Sequence, residues 1–204
     1  MNCRPALLAV LMCVASLHAQ QKPSKITGPA SQVVEDSQLY RNAAFGFRCR
    51  VPYGWVDRIR DMQAGNEAGK GEVLLAIFER PPQAAGDTIN SAVLIAAESA
   101  SSYSGLKTAA DYLGPLNEAT TAKGFKPAAD PAEITIDGRT LIRADFTKAL
   151  SDKLTMHQST LVLLQKGQIV SFTFIAGSDD EIDQLVENLS FGAPRTGPRP
   201  AQKR

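Results

Sequence analysis

Residues 155–189 constrain the fold more than any other stretch. Two apolar runs, 156–164 and 168–175, flank Lys166-Gly167, and an amphipathic segment follows. A two-residue hairpin at Lys166-Gly167 sets Leu164 opposite Ile169, Leu163 opposite Val170 and Leu161 opposite Phe172. One face of that hairpin carries His157, Leu161, Leu163, Val170, Phe172 and Phe174. The other carries Thr160, Val162, Leu164, Ile169, Ser171 and Thr173. A helix predicted over residues 178–189 has the stripe to cover the first face, namely Ile182, Leu185, Val186 and Leu189. Ser178 with Glu181 three residues on is the capping-box signature at its start.

The preceding elements fit around this unit. Phe45, Phe47, Cys49 and Val51 alternate with Gly46, Arg48 and Arg50, a half-buried strand that stops at Pro52. Tyr53-Gly54-Trp55 turns the chain, and polar residues 61–70 read as an exposed loop. Residues 72–79 and 92–97 are apolar on both faces, which places them inside a sheet covered on both sides. Residues 98–105 read as a small polar loop. Residues 108–123 read as a helix with Leu113 and Leu116 inward and a kink or break at Gly114-Pro115. A second hairpin follows. A three-residue loop, Ile136-Asp137-Gly138, would put Ile134, Ile142, Ala144 and Phe146 on one face and Arg139, Arg143 and Asp145 on the other. The sum is an antiparallel meander with one helix midway and one at the end. The fold class is α/β (α+β), an α/β/α sandwich with a mainly antiparallel sheet.

The N-terminus is a separate matter. Arg4 is the only charge in residues 1–19, and residues 6–15 form an apolar run of signal-peptide length. Cleavage is expected after Ala19. The run is shorter than the ~20 residues a membrane span needs, so no transmembrane segment is expected after cleavage. Cys13 offers a lipoprotein-type site as the minor alternative, although Met12 before it is bulkier than such sites accept. Cleavage removes Arg4 and no acid, leaving 21 Lys+Arg against 21 Asp+Glu. A neutral chain has no global field to steer it to nucleic acid or to an anionic membrane. Cys49 is then the one remaining cysteine, read as a buried small hydrophobe, with a reactive thiol as the alternative. Residues 20–38 read as a linker, 39–191 as the domain and 192–204 as a disordered tail.

Tyr40-Arg41-Asn42, Phe45-Gly46-Phe47 and Pro52-x-Gly54-Trp55 look like the opening of PsbP-like (Mog/PsbP-type) domains, in which a short hairpin leads to a Pro-x-Gly-Trp corner. The later order is also similar, with a helix around Asp111-Tyr112-Leu113, an Ile-Asp-Gly hairpin, a long-strand hairpin and a closing helix before Leu189-Ser190-Phe191. The resemblance covers roughly residues 39–191. It implies the PsbP-like α/β/α fold and an exported bacterial protein. It also implies protein binding without catalysis, as in photosystem extrinsic subunits and a Ran-binding import factor. No metal site or photosystem role is carried over, because the sequence shows no thylakoid-type transit peptide and no surplus of His or acidic clusters.

Catalytic chemistry has little to work with. After cleavage His157 is the only histidine, which leaves no two-histidine metal site. It reads as a partly buried structural residue, against the alternative of a general base. Ser99, Ser101, Ser102 and Ser104, with Tyr103 among them, form a flexible loop or a binding lip, and no nucleophile elbow or phosphate loop is present. Asp179, Asp180, Glu181 and Asp183 count as calcium-like oxygens, but they fall in the first turn of a helix, where acids meet the positive dipole end. Tyr53 and Trp55 are a candidate aromatic contact site, against a Trp that packs inward. Arg195, Arg199, Lys203 and Arg204 give the tail a weak claim on an anionic surface. The expectation is therefore an exported, non-catalytic, cofactor-free domain that binds an envelope protein. A periplasmic small-ligand or lipid-binding module is the alternative, with Tyr53, Trp55, Ser99, Ser101, Ser102, Tyr103 and Ser104 as contacts.

Overall fold

The computed structural model describes residues 38–64, 71–84 and 86–192. The expected signal peptide, most of the linker and the basic tail lie outside them. Among the described residues, eleven strands and three α-helices follow in the order β1 (Leu39–Asn42), β2 (Phe47–Arg50), β3 (Val56–Asp57), α1 (Ile59–Ala64), β4 (Glu72–Phe78), β5 (Ala92–Ser99), α2 (Leu113–Thr121), β6 (Lys126–Pro127), β7 (Ala132–Ile136), β8 (Arg139–Ser151), β9 (Leu154–Gln165), β10 (Gln168–Ala176), α3 (Asp179–Val186) and β11 (Leu189–Phe191). An eight-stranded sheet runs β3-β4-β5-β10-β9-β8-β6, with β7 also on the outer edge of β8. A three-stranded sheet runs β1-β2-β11. Every pairing is antiparallel. The order is not a simple meander, because β5 pairs with β10 across the intervening helix and four strands.

The β9–β10 hairpin has the register its sequence requires: Leu164 faces Ile169, Leu163 faces Val170 and Leu161 faces Phe172. Lys166 and Gly167 both take positive φ, as a type I′ turn demands. The second hairpin differs from expectation. Asp137 and Gly138 alone form its turn, both at positive φ, so Ile136 faces Arg139 and Ile134 faces Leu141. The hydrophobic pattern did not exclude this, because the face of β8 that carries Arg139, Arg143 and Asp145 also carries Leu141, which is fully buried. Leu141 joins Ile134 and Ile136 in one core, while Ala144 and Phe146 enter another. Asp137 Oδ2 also accepts from Phe191 N at 3.1 Å, tying the turn to β11.

The eight-stranded sheet is covered differently on its two faces. On the first, the small sheet and α3 supply Phe47, Cys49, Leu189, Phe191, Ile182 and Leu185 to a core with Ile95, Leu161, Val170, Phe172 and Phe174. Phe172 meets Phe47 and Phe191 edge-on, with ring centroids 5.0 and 5.9 Å apart. Leu189, expected to close the helical stripe, instead begins β11 and pairs with Cys49. On the second face two clusters stand apart. Met62 of α1 packs with Val73, Ala76, Phe78 and Ile89. Tyr112, Leu116 and Phe125 pack with Phe146, Val162 and Ile169.

Three further expectations are corrected. Residues 61–64, expected to open a loop, belong to α1, while residues 65–70 lie outside the described residues: Asp57 Oδ1 accepts from Ile59 N at 2.8 Å, and Met62 is buried. β4 is nearly an edge strand, since β3 covers only Ile77 and Phe78. Its open edge is guarded by Gln63 Nε2, which donates to Val73 O at 3.4 Å, and by Arg58 N, which donates to Ala76 O at 2.8 Å. A bulge between Val73 and Leu75 then puts Val73 on the face of Ala76 and Phe78, breaking strict alternation. The helix expected over residues 108–123 becomes a 3₁₀ turn, Ala110–Tyr112, joined to α2. Pro115 sits in the first turn of α2, where its missing N–H costs no intrahelical bond.

α3 is capped by Ser178 Oγ, which accepts from Glu181 N at 3.3 Å. The Glu181 carboxylate does not return to Ser178. It accepts from Gly177 N at 3.1 Å and from Ser91 Oγ at 2.5 Å, anchoring the helix start to the loop before β5. Ser178→Ala is expected to cost about 1 kcal/mol, read in urea as a lower midpoint at unchanged slope. An unchanged midpoint would mean Glu181 alone holds the helix start.

Candidate functional site

The loop expected at residues 98–105 begins two residues too early. β5 runs on to Ser99, so Glu98 continues the row Ala92, Leu94, Ala96 on the second face of the sheet. It is 3% exposed. The Tyr103 hydroxyl donates to Glu98 Oε2, and the Tyr112 hydroxyl donates to Oε1 at 2.8 Å. The two rings meet edge-on at 5.2 Å. Burial pushes the Glu98 carboxyl above its ordinary pKa, and the two phenol bonds pull it back only in part. Burial and the neighbouring carboxyl also raise both phenols, so they remain protonated donors.

The chain between the tyrosines is folded to hold them there. Ala100 N donates to Gly167 O at 2.9 Å, and residues Ala100–Ser102 make a 3₁₀ turn. Asp111 Oδ2 accepts from Lys107 N, Thr108 N and Thr108 Oγ1 at 2.8 to 2.9 Å, locking the turn that presents Tyr112. Ser99 and Ser101 share a hydroxyl contact of 2.7 Å, and Ser101, Ser102 and Ser104 are exposed. Sequence reasoning singled out Tyr103 but missed Glu98 and Tyr112. The available signal was Glu98 in period with Leu94 and Ala96.

Between the two clusters on this face runs a half-buried strip of Leu94, Ala96, Ser171 and Thr173. Thr173 Oγ1 lies 3.1 Å from Thr160 Oγ1, which accepts from Gln158 Nε2 at 3.3 Å. Glu98 stands at one end of the strip.

The other expected contacts lie elsewhere. Tyr53 is 91% exposed. Gly54 takes φ +82°, which lets the corner turn, and Trp55 is half-buried against the main core. Val56 pairs with Phe78 and Phe78 with Ala92, so this corner sits at the opposite end of β5 from Ser99, roughly 20 Å away. The structure therefore does not bring Trp55 and the serine loop into one pocket. His157 faces Ala176 while Ser99 faces Gln168, the two ends of β10, roughly 25 Å apart. His157 Nδ1 lies 2.7 Å from Asp179 Oδ1 at the start of α3. No serine of that loop can act as its nucleophile. Asp183 binds Arg143 Nη1 at 2.8 Å, and among the described residues no cluster of His, Cys, Asp or Glu could hold a metal ion. Cys49 is fully buried and its thiol is pushed up to about 12. Among the described residues no helix is long and apolar enough to cross a membrane.

No protein-family model and no curated protein matches the chain. Its structure is similar to the solution structure of CyanoP, the cyanobacterial PsbP of Synechocystis, at 15% identity over 81% of this chain and 100% of that one, with a TM-score of 0.50. Weaker likenesses include LpqN of Mycobacterium tuberculosis (16% identity, 72% and 83% covered, TM-score 0.41) and the Saccharomyces cerevisiae Ran-binding protein Mog1p (11%, 72% and 80%, 0.41). The first of these likenesses carries the assignment, together with the two-sheet architecture: this chain has the PsbP-like fold.

Proposed function

We propose that this is an exported, non-catalytic domain that binds a protein of the cell envelope through the Tyr53 corner. The observation that carries the reading is Tyr53 itself, a large aromatic side chain 91% exposed on a turn whose next aromatic, Trp55, is anchored in the core. A rigid exposed tyrosine offers contact area at low entropic cost, the property of a binding hot spot. The separation of His157 from the serine loop supports a role without catalysis. A photocrosslinking amino acid at position 53, in cells carrying the full chain, should give one discrete protein adduct. Tyr53→Ala should weaken capture of that same partner at least tenfold, consistent with hot-spot truncation. Adducts from position 102 but none from position 53 would move the contact to the serine loop and defeat this assignment.

A second reading is favoured by the half-buried strip of Leu94, Ala96, Ser171 and Thr173, whose mixed character suits a small amphipathic ligand. Native mass spectrometry of the exported protein should then show a bound small molecule that Ser171→Trp expels. A ligand-free wild-type spectrum would count against it.

A further inference from the structure

The two long edges of the eight-stranded sheet are finished differently. At the β4 edge, Gln63 and Arg58 take up carbonyls of the strand, as described above. At the other edge, β7 pairs with β8 alone. The Asp137-Gly138 turn fixes which of its backbone groups are used. Ile136 and Arg139 flank a two-residue turn and so exchange both ladder bonds, and the alternation continues to Ile134–Leu141 and Ala132–Arg143. The N–H and C=O groups of Glu133 and Thr135 therefore point away from β8. Among the described residues no backbone group answers them. β7 has no bulge against β8, no lysine and no proline, the devices that usually close such an edge. Ile134 and Ile136 lie half-buried at the margin of the main core, while Glu133 and Thr135 are exposed on the opposite face.

We infer that β7 is the edge along which two copies of this chain pair, antiparallel, into one continuous sheet. The sequence of the strand selects both the partner and the register. Outward groups bond only to outward groups, so Glu133 and Thr135 of one copy must face outward residues of the other. Setting Glu133 against its own counterpart opposes two carboxylates. Setting Thr135 against its own counterpart brings Glu133 opposite Asp137, again like against like. The remaining register, Glu133 opposite Thr135, opposes no like charges. It makes two hydrogen-bonded pairs and hence about four backbone bonds. Its two-fold axis passes beside Ile134, whose Cα would lie about 4.5 Å from that of the same residue in the second copy. Ile136 then meets Ala132, which keeps one face of the junction apolar. Pro131 is next in the outward row and has no N–H, so the ladder ends there. A strand self-complementary about one residue is what an isologous contact requires. β3 and the Tyr53 corner lie at the far side of the sheet order, so the paired molecule would carry one such corner at each outer end.

The test is sedimentation velocity of the protein as isolated from cells, from about 1 to about 100 μM. The wild type should pass from monomer to dimer over that range. Thr135→Pro removes an outward N–H and no bond to β8, and should weaken dimerisation by about tenfold or more. Thr135→Glu opposes carboxylates twice per dimer and should weaken it about fivefold. Thr135→Lys sets an ion pair in the same two places and should tighten it about fivefold at low salt. These two variants carry the test should the proline variant lose its fold, which its thermal midpoint would show. Ile134→Cys lies on the two-fold axis within disulfide reach and should give a covalent dimer on mild oxidation. Thr135→Cys and the wild type, whose Cys49 is fully buried, should not. A wild type that stays monomeric at about 100 μM overturns the inference and leaves the edge to a strand of another protein. So does a dimer whose affinity is unchanged in both Thr135→Pro and Thr135→Glu, which would place the contact on another surface. Crosslinking of Thr135→Cys but not of Ile134→Cys would refute the register and overturn it as well.

Discussion

Phe172→Ala is expected to cost about 3–5 kcal/mol, the range for deleting a buried aromatic ring from a packed core. Phe172 is fully buried in β10, the strand at the centre of the large sheet, and its ring contacts Phe47 and Phe191 of the small one. Phe47 and Phe191 also approach one another at 6.5 Å, so the three rings form the joint between the sheets. Removing the middle ring opens a cavity that neither sheet can close without breaking strand pairing. A loss of that size is a large fraction of the ~5–15 kcal/mol by which such domains are stable. Phe172→Leu fills most of the space and should cost well under half as much. Chemical denaturation of the two variants decides the matter. A loss below about 1 kcal/mol for Phe172→Ala would mean that the small sheet is not held by this joint.

Glu98 yields the second large effect, and its sign depends on the substitution. Burial raises its pKa in the folded state, while the unfolded chain titrates near an ordinary ~4.3. The stability linked to this group is therefore fully present below the unfolded pKa and is lost as pH rises through the raised folded value. Glu98→Gln removes the titration, keeps the shape and still bonds both phenols. Its denaturation midpoint should vary less between pH 4 and pH 8 than that of the wild type, and at neutral pH should equal or exceed it. Glu98→Leu is different, since it strands the Tyr112 hydroxyl in a site where Tyr112 is almost wholly buried. That substitution should cost about 1–3 kcal/mol at every pH. A Gln variant that loses as much as the Leu variant would show that the charged carboxylate itself holds the two tyrosines.

The contrast between Leu163 and Glu98 shows how far the sequence could be read. Leu163 was placed opposite Val170 correctly because a two-residue turn and an alternating pattern fix register locally. The same logic located Ser178 as a cap. Glu98 was misassigned because an acid after an apolar run resembles a loop, and its burial depends on tyrosines five and fourteen residues away. The pairing of β5 with β10 spans some seventy residues, and no local pattern specifies it. The bulge near Leu74 erases its own signal, since a strand apolar on both faces reads the same in either register. The Asp137-Gly138 turn was misread for a related reason. Both faces of β8 accept apolar residues, so hydrophobicity could not choose between loop lengths, and turn chemistry decided. At the candidate sites, Tyr53 and Tyr103 could be singled out as residues, but not the roughly 20 Å between their surroundings, which is a property of strand order.

The small sheet joins the two ends of the domain, with β2 pairing β1 before it and β11 at the far end of the chain. Its third strand does not exist until residues 189–191 have arrived. A chain made from its N-terminus therefore leaves the set of rings Phe47, Phe172 and Phe191 incomplete until residues 189–191 are added. The joint between the two sheets then waits on the far end of the domain. Closing a contact of such sequence separation is slow, so the small sheet is expected to complete late in folding.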